Sequence, residues 1–209
     1  MTYRPTPRSL LLAAFILSFG FAAGFRVQGQ VLNQDQEIHV HNLPTLKAHS
    51  QEPLDVLLAS LETVFHDPEI CCGKNSALGD SAQAADPKSL KDVAEKLQGR
   101  HLLSDGRPIK VTAEFATLEV INGGALINNV MNQQAALLMW NSHVYVVHGV
   151  VYQLIASGSS EGGWSQTTVL HKFLLWDTRF TDSRREVVLD RTTEDLTKVQ
   201  GMLFVQVAQ

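Results

Sequence analysis

Residues 136–155 read ALLMWNSHVYVVHGVVYQLI, and this stretch decides the fold class because it contains two strand patterns in succession. The segments 136–140 and 143–155 are rich in the aliphatic, β-branched and aromatic residues that favour strands. Between them lie Asn141 and Ser142, which suit a turn. The stretch therefore predicts part of an antiparallel sheet in the second half of the chain.

The same type of pattern recurs on both sides of this stretch. Residues 157–165 are rich in Gly and Ser and indicate the end of a hairpin. Residues 192–198 suggest a helical turn. Further strands are predicted at residues 109–113, 169–176, 186–189 and 202–207.

The first half of the chain instead carries helical periodicity. Pro53 suits a first helical turn, and apolar residues recur at helical spacing up to Phe65. A second short helix is predicted from Cys71 or Cys72 to about Ser81. Others are expected from Asp86 to Gly99 and at residues 125–132. Helices followed by an antiparallel sheet indicate an α+β fold, with the helices packed on one side of the sheet.

The N-terminus has the pattern of an export segment. Arg4 and Arg8 precede the apolar run Leu10–Phe25, which contains small residues near its end. This order is typical of a signal peptide, and cleavage is predicted after Gly24 or Gly29. The alternative is an uncleaved anchor, although the run is shorter than the roughly 20 residues that span a bilayer. Both interpretations predict a secreted or periplasmic protein, in the second case one attached to the membrane.

Composition restricts the remaining classes. The chain is 44% hydrophobic and has a net charge of -4, without a basic cluster that would indicate nucleic-acid binding. We expect residues 1–25 to be the export segment, 26–50 a polar flexible arm, and 51–209 a single domain. No cofactor is predicted, and a membrane partner is expected only through the N-terminal anchor.

Cys71 and Cys72 are the only cysteines, and they are adjacent. Neighbouring cysteines cannot join distant segments, so they are expected as a vicinal disulfide, as a reactive thiol with a bystander, or as two core residues. A cysteine in the first turn of a helix would have a lowered pKa, because the helix dipole favours the thiolate. Cys72 is therefore a candidate nucleophile.

Two further residues complete a candidate triad. His143 opens a predicted strand and can activate a thiol as a base. Asp177 follows the next predicted strand, and an antiparallel pairing of the two strands would bring it close to His143. There it would orient the imidazole, which is the role of the third residue in a triad. An ordinary turn at Asp177 is the alternative.

The order of Cys72, His143 and Asp177 along the chain resembles that in the papain-like cysteine peptidases, particularly the bacterial branches related to bacteriocin-processing peptidases. In those enzymes a Ser or Thr and then Ala follow the Cys at the spacing of Ser76 and Ala77 after Cys72. Residues 143–149 are similar to their His-x-Val-Val-x-Gly segment, one residue longer. The resemblance covers residues 55–205 and implies a papain-like fold and a thiol peptidase or amidase that forms an acyl-enzyme with a peptide or protein substrate.

The chain also departs from that family. Papain-like enzymes carry a Gln about six residues before the Cys, where this chain has His66, so the resemblance gives His66 the oxyanion role. Gly73 replaces the bulky aromatic that often follows the Cys. The alternatives are a catalytically inactive binding or scaffold protein and a cell-wall endopeptidase of the same superfamily. A metal site is disfavoured because the adjacent cysteines lack C-x-x-C spacing.

Overall fold

The structure is a computed structural model that describes residues 35–44, 46–73, 75–117, 123–158, 164–193 and 196–208. The predicted export segment lies outside these residues. Within them the α+β prediction is confirmed. The helices are α1 (Pro53–Phe65), α2 (Gly79–Gln83), α3 (Leu90–Leu97) and α4 (Gly123–Met131). The strands are β1 (Gln36–His39), β2 (Gly99–Leu102), β3 (Pro108–Ala116), β4 (Ala136–Trp140), β5 (His143–Gly158), β6 (Trp164–Trp176), β7 (Glu186–Asp190) and β8 (Val199–Ala208).

All eight strands belong to one antiparallel sheet in the order β2-β3-β8-β4-β5-β6-β7. β1 pairs with the second part of β5, beyond the part that pairs with β4. β5 and β6 form the long hairpin expected from the sequence, and the end of β6 lies beside the start of β5 through the pair Val146 and Trp176. The register therefore brings the residue after β6 close to the first residues of β5.

Helix α1 has the bounds predicted from the sequence. Pro53 occupies its first turn, and the side chains of Leu57 and Leu61 are completely buried. The helix ends at His66, whose backbone has φ 59° and whose N–H donates to the Glu62 carbonyl. A residue in this left-handed conformation is a common helix stop because it satisfies a free carbonyl while turning the chain.

Two buried hydroxyl groups attach α1 to the end of β6. The Ser60 and Thr178 hydroxyl oxygens are 3.1 Å apart, and the Ser60 hydroxyl donates to the Val56 carbonyl at 2.7 Å. Both residues are inaccessible to solvent. Because a buried hydroxyl group without a partner is costly, this contact fixes α1 relative to the turn that follows β6.

The prediction of a helix starting at Cys71 or Cys72 is wrong. Those residues lie in turns, and α2 begins only at Gly79. Cys72 has φ 80°, which a right-handed helix excludes. The Leu78 N–H donates to the Ile70 carbonyl, so the chain folds back on itself before α2.

Four residues of the predicted polar arm belong to the sheet as strand β1. β1 pairs in register with residues 149–152 of β5, and the Ala48 N–H donates to the Thr178 carbonyl at 2.9 Å. The four residues of β1 are too few and too polar for periodicity to predict a strand. β2 was also unpredicted. Among the described residues, no helix combines the length and the apolar character needed to cross a membrane.

Candidate functional site

Cys71 and Cys72 form a disulfide with each other. This is the first of the three alternatives that the sequence left open. The Cys72 sulfur is therefore covalently bonded, and the predicted thiolate nucleophile does not exist in this oxidised state. Cys72 also lies outside any helix first turn, so the dipole that was expected to lower its thiol pKa does not act on it.

The disulfide borders a pocket at the C-terminal end of α1. The pocket has a volume of about 270 Å³, and its walls include Pro44, Leu46, Pro68, Cys71 and Gly73. Glu62, His66 and Asp67 add polar groups to this largely apolar lining. The Leu46 carbonyl accepts a hydrogen bond of 3.0 Å from the buried Arg185, so one wall is held in place from the core.

Two titratable groups of this pocket, Glu62 and His66, are shifted toward their uncharged forms. Burial raises the pKa of Glu62, against a smaller opposing effect of His49. Burial also lowers the pKa of His66. His66, the residue predicted for the oxyanion role, lines the same pocket as Cys71. Its expected partner atom, a reacting carbonyl at Cys72, needs a thiolate that the disulfide removes.

His143 lies at the other end of α1. It is exposed at the start of β5 and borders a separate cleft together with Pro53 and Val56 of the first turns of α1. Cys71 instead shares its pocket with Glu62 and His66 of the last turns. At 1.5 Å of rise per residue, about 20 Å of helix separates Pro53 from His66. The structure thus places His143 and the cysteine pair beside opposite ends of one helix.

Asp177 follows β6 as predicted, but its carboxylate is occupied by Arg179. Arg179 Nη2 donates to Asp177 Oδ2 at 2.6 Å, and Nε donates to both carboxylate oxygens at 2.9 and 3.1 Å. The Arg179 N–H adds a further hydrogen bond to Oδ1. Asp177 is 3% exposed, and the carboxylate raises the pKa of Arg179. This forked geometry makes a strong buried ion pair.

Arg179 also separates Asp177 from His143. Its Nη1 lies 3.3 Å from His143 Nδ1. A guanidinium has hydrogens to donate and no lone pair to accept with, so Nδ1 is the acceptor and the ring hydrogen is on Nε2. A triad base needs the opposite tautomer, with Nδ1–H facing the carboxylate and a free lone pair on Nε2.

The structure therefore brings the predicted residues together in two groups. His143 and Asp177 share Arg179, whereas His66 and Cys72 belong to the disulfide region. Sequence reasoning missed Arg179, although a local signal exists. The chain contains the spacing Asp-x-Arg three times, at Asp105, Asp177 and Asp182, and at each site the Arg Nε pairs with the Asp two residues before it.

An aromatic stack around the buried His148 lies outside both groups. The His148 ring lies between His39 and Trp176, with ring centroids 5.6 and 4.6 Å away. Burial lowers the pKa of His148 to about 4, against the opposing effect of Glu186, whose carboxylate is 3.4 Å from His148 Nε2. This imidazole is therefore uncharged at neutral pH. The described residues contain no group of three or more His, Cys, Asp or Glu placed to hold one metal ion.

Comparison with known proteins gives no relative on which to base an assignment: no protein-family model, curated protein or solved structure matches the chain.

Proposed function

We propose that this chain is an exported binding domain with a papain-like fold, and that it binds a peptide or protein segment without hydrolysing it. The observation that carries the proposal is the position of the disulfide at the opposite end of α1 from His143. A papain-like enzyme needs its thiol at the helix start that faces the His. In this chain that helix start carries Gln51, Glu52 and Pro53.

The pocket beside the disulfide is the proposed binding site. Its volume of about 270 Å³ is below the roughly 300–1,000 Å³ typical of sites for whole drug-sized ligands. It suits one or two side chains of a larger partner. Leu46, Pro68 and Cys71 favour an apolar side chain. Asp67 at the same pocket favours a basic group next to it.

This proposal is tested with two short peptides that differ in one charge. N-acetyl-leucyl-lysine amide and N-acetyl-leucyl-glutamine amide are titrated into the oxidised domain while NMR shifts of the His66 ring and the Gly73 amide are followed. We expect the lysine peptide to shift these signals and to bind about fivefold more tightly than the glutamine peptide, the effect of one partly screened ion pair.

Gly73→Phe provides the blocking variant. A Cβ at Gly73 meets no atom within 4 Å, and Gly73 lines the pocket, so we expect a Phe side chain there to occupy the pocket. We expect it to abolish the shift of the His66 ring signal, whereas Glu69→Gln, which changes a charge outside the pocket lining, leaves that shift intact. Equal shifts in Gly73→Phe and the unmodified domain would show that the pocket is not the site.

An exported thiol hydrolase, peptidase or amidase remains the second candidate. One observation favours it: His66 and Cys71 line the same pocket. Activity would require reduction of the disulfide and movement of Cys72 to His143. Hydrolysis of a fluorogenic peptide by the reduced domain, lost in Cys72→Ser, would replace the binding proposal with this one. Absence of hydrolysis in both proteins is the result we expect.

A further inference from the structure

A second cleft lies at the N-terminal end of α1 and has a composition unlike that of the disulfide pocket. It has a volume of about 240 Å³ between the first turns of α1, the segment before α3 and the start of β5. Pro53 and Val56 form its apolar part, and Lys88, Ser142 and His143 contribute polar groups. Hydrogen-bond donors therefore adjoin a small apolar surface.

The contact with Arg179 fixes what His143 offers to this cleft. Because Arg179 Nη1 donates to Nδ1, the ring hydrogen of His143 is on Nε2. The Asp177 carboxylate accepts three hydrogen bonds from the Arg179 guanidinium. Arg179 therefore cannot rotate away without breaking a buried ion pair. His143 is thereby set as a donor at Nε2.

Lys88 supplies a cation among the residues that line the cleft. Its side chain takes part in none of the ion pairs between described residues, and its backbone N–H is bonded to the Asp86 carboxylate. Asp55, in the first turn of α1, accepts a hydrogen bond from Ser50. The ammonium of Lys88 is thus available to an anion in the cleft.

We propose that this cleft binds a carboxylate attached to an apolar group, such as the C-terminal residue of a peptide. The carboxylate accepts hydrogen bonds from His143 Nε2 and Lys88 Nζ, and the apolar group contacts Pro53 and Val56. This site is separate from the disulfide pocket and does not depend on the binding function proposed for that pocket.

The probe is N-acetyl-leucine, with N-acetyl-leucine amide as its uncharged match. Both are titrated into the full domain while NMR signals of the His143 ring and the Ser142 and Val144 amides are followed. We expect millimolar binding of the acid and binding of the amide weaker by about fivefold or more, because the amide lacks the charge that Lys88 attracts. Equal binding of the two compounds would overturn the proposal.

Matched variants assign the contacts. Lys88→Met keeps the length of the side chain and removes the charge, and we expect a loss of about fivefold in acid binding. Lys91→Met makes the same change at an exposed position on α3 outside the cleft and should leave binding unchanged. Equal losses in both variants would indicate long-range attraction without a site.

Two substitutions distinguish the hydrogen bond that His143 donates from the packing of its side chain. His143→Gln keeps a side-chain N–H donor and is expected to retain most of the affinity, whereas His143→Leu removes the donor and should weaken acid binding about fivefold. His143 is exposed, so both variants are expected to fold, which their amide spectra check. Undiminished acid binding by His143→Leu contradicts the assigned role.

Discussion

The two ends of helix α1 carry different chemistry. At its C-terminal end, the disulfide and proline side chains line a largely apolar pocket in which burial disfavours the charged forms of Glu62 and His66. At its N-terminal end, the exposed residues Lys88 and His143 border a cleft. The buried ion pair of Asp177 and Arg179 contacts His143 and orients its ring. One rigid helix thus keeps apart a sulfur pair and an imidazole that their order in the sequence suggested would meet.

The largest expected change in stability comes from breaking the ion pair of Asp177 and Arg179, near the N-terminal end of α1. Asp177→Ala leaves the Arg179 guanidinium, which is only 18% exposed, without its carboxylate. We expect the free energy of unfolding to fall by about 3 kcal/mol, as for other broken buried pairs. Urea unfolding at pH 7 measures it.

Asp182→Ala is the matched control for that variant. Asp182 forms the same Asp-x-Arg fork with Arg184, but both side chains are more than half exposed. Solvent screens such a pair, so we expect no measurable change in stability. If the two variants lose equal stability, the N-terminal end is not organised by burial of its ion pair.

An acid titration compares two histidines whose pKa is lowered by burial: His66 at the C-terminal end of α1 and His148 in the aromatic stack. The pKa of His148 is lowered to about 4 from 6.5 in the folded state, so between these values the unfolded chain binds more protons. The stability from this group is complete above pH 6.5 and is lost as the pH falls toward 4. We expect a decrease of about 1–3 kcal/mol over that range, measured by urea unfolding.

Two variants divide this pH dependence. His148→Gln should remove most of it, and His66→Gln a smaller part, because the pKa of His66 is lowered in the same direction by burial beside the disulfide pocket. A pH dependence that is unchanged in His148→Gln would mean that other groups cause it.

Reduction of the disulfide has the smallest expected effect on stability. A bond between adjacent residues closes almost no chain, so its removal with a phosphine is expected to change the free energy of unfolding by less than about 1 kcal/mol. The two sites should nevertheless respond differently. Binding of N-acetyl-leucyl-lysine amide should weaken about fivefold with the altered pocket wall, and binding of N-acetyl-leucine should not change. Equal weakening at both sites would show that the two ends are coupled.

Local patterns were sufficient to predict much of the fold. Pro53 and the apolar spacing after it predict the bounds of α1, and the residues of β4 are those expected from 136–140. The neighbouring positions of His143 and Asp177 followed from antiparallel pairing of β5 and β6. These features depend on residues close in sequence or on one register.

The site depended on contacts that no local pattern determines. The residues after Cys72 predict a helix that begins there, but Cys72 has a positive φ, is bonded to Cys71 and lies in a turn. The role of Arg179 required knowing that Asp177 is buried, so that the carboxylate pairs with a cation two residues away. The short strand β1 forms by pairing with residues 149–152 of β5, beyond the part of β5 that pairs with β4.

The pairing of β1 with β5 also limits how far the folded domain could lie from an N-terminal membrane anchor. Because the chain joins the sheet at Gln36, only about ten residues separate the end of the predicted export segment from the folded domain. An extended chain covers at most about 3.6 Å per residue, so ten residues reach about 35 Å. If the N-terminal segment stays in the membrane as an anchor, the domain is held within that distance of the bilayer surface, and any partner it captures is held there with it.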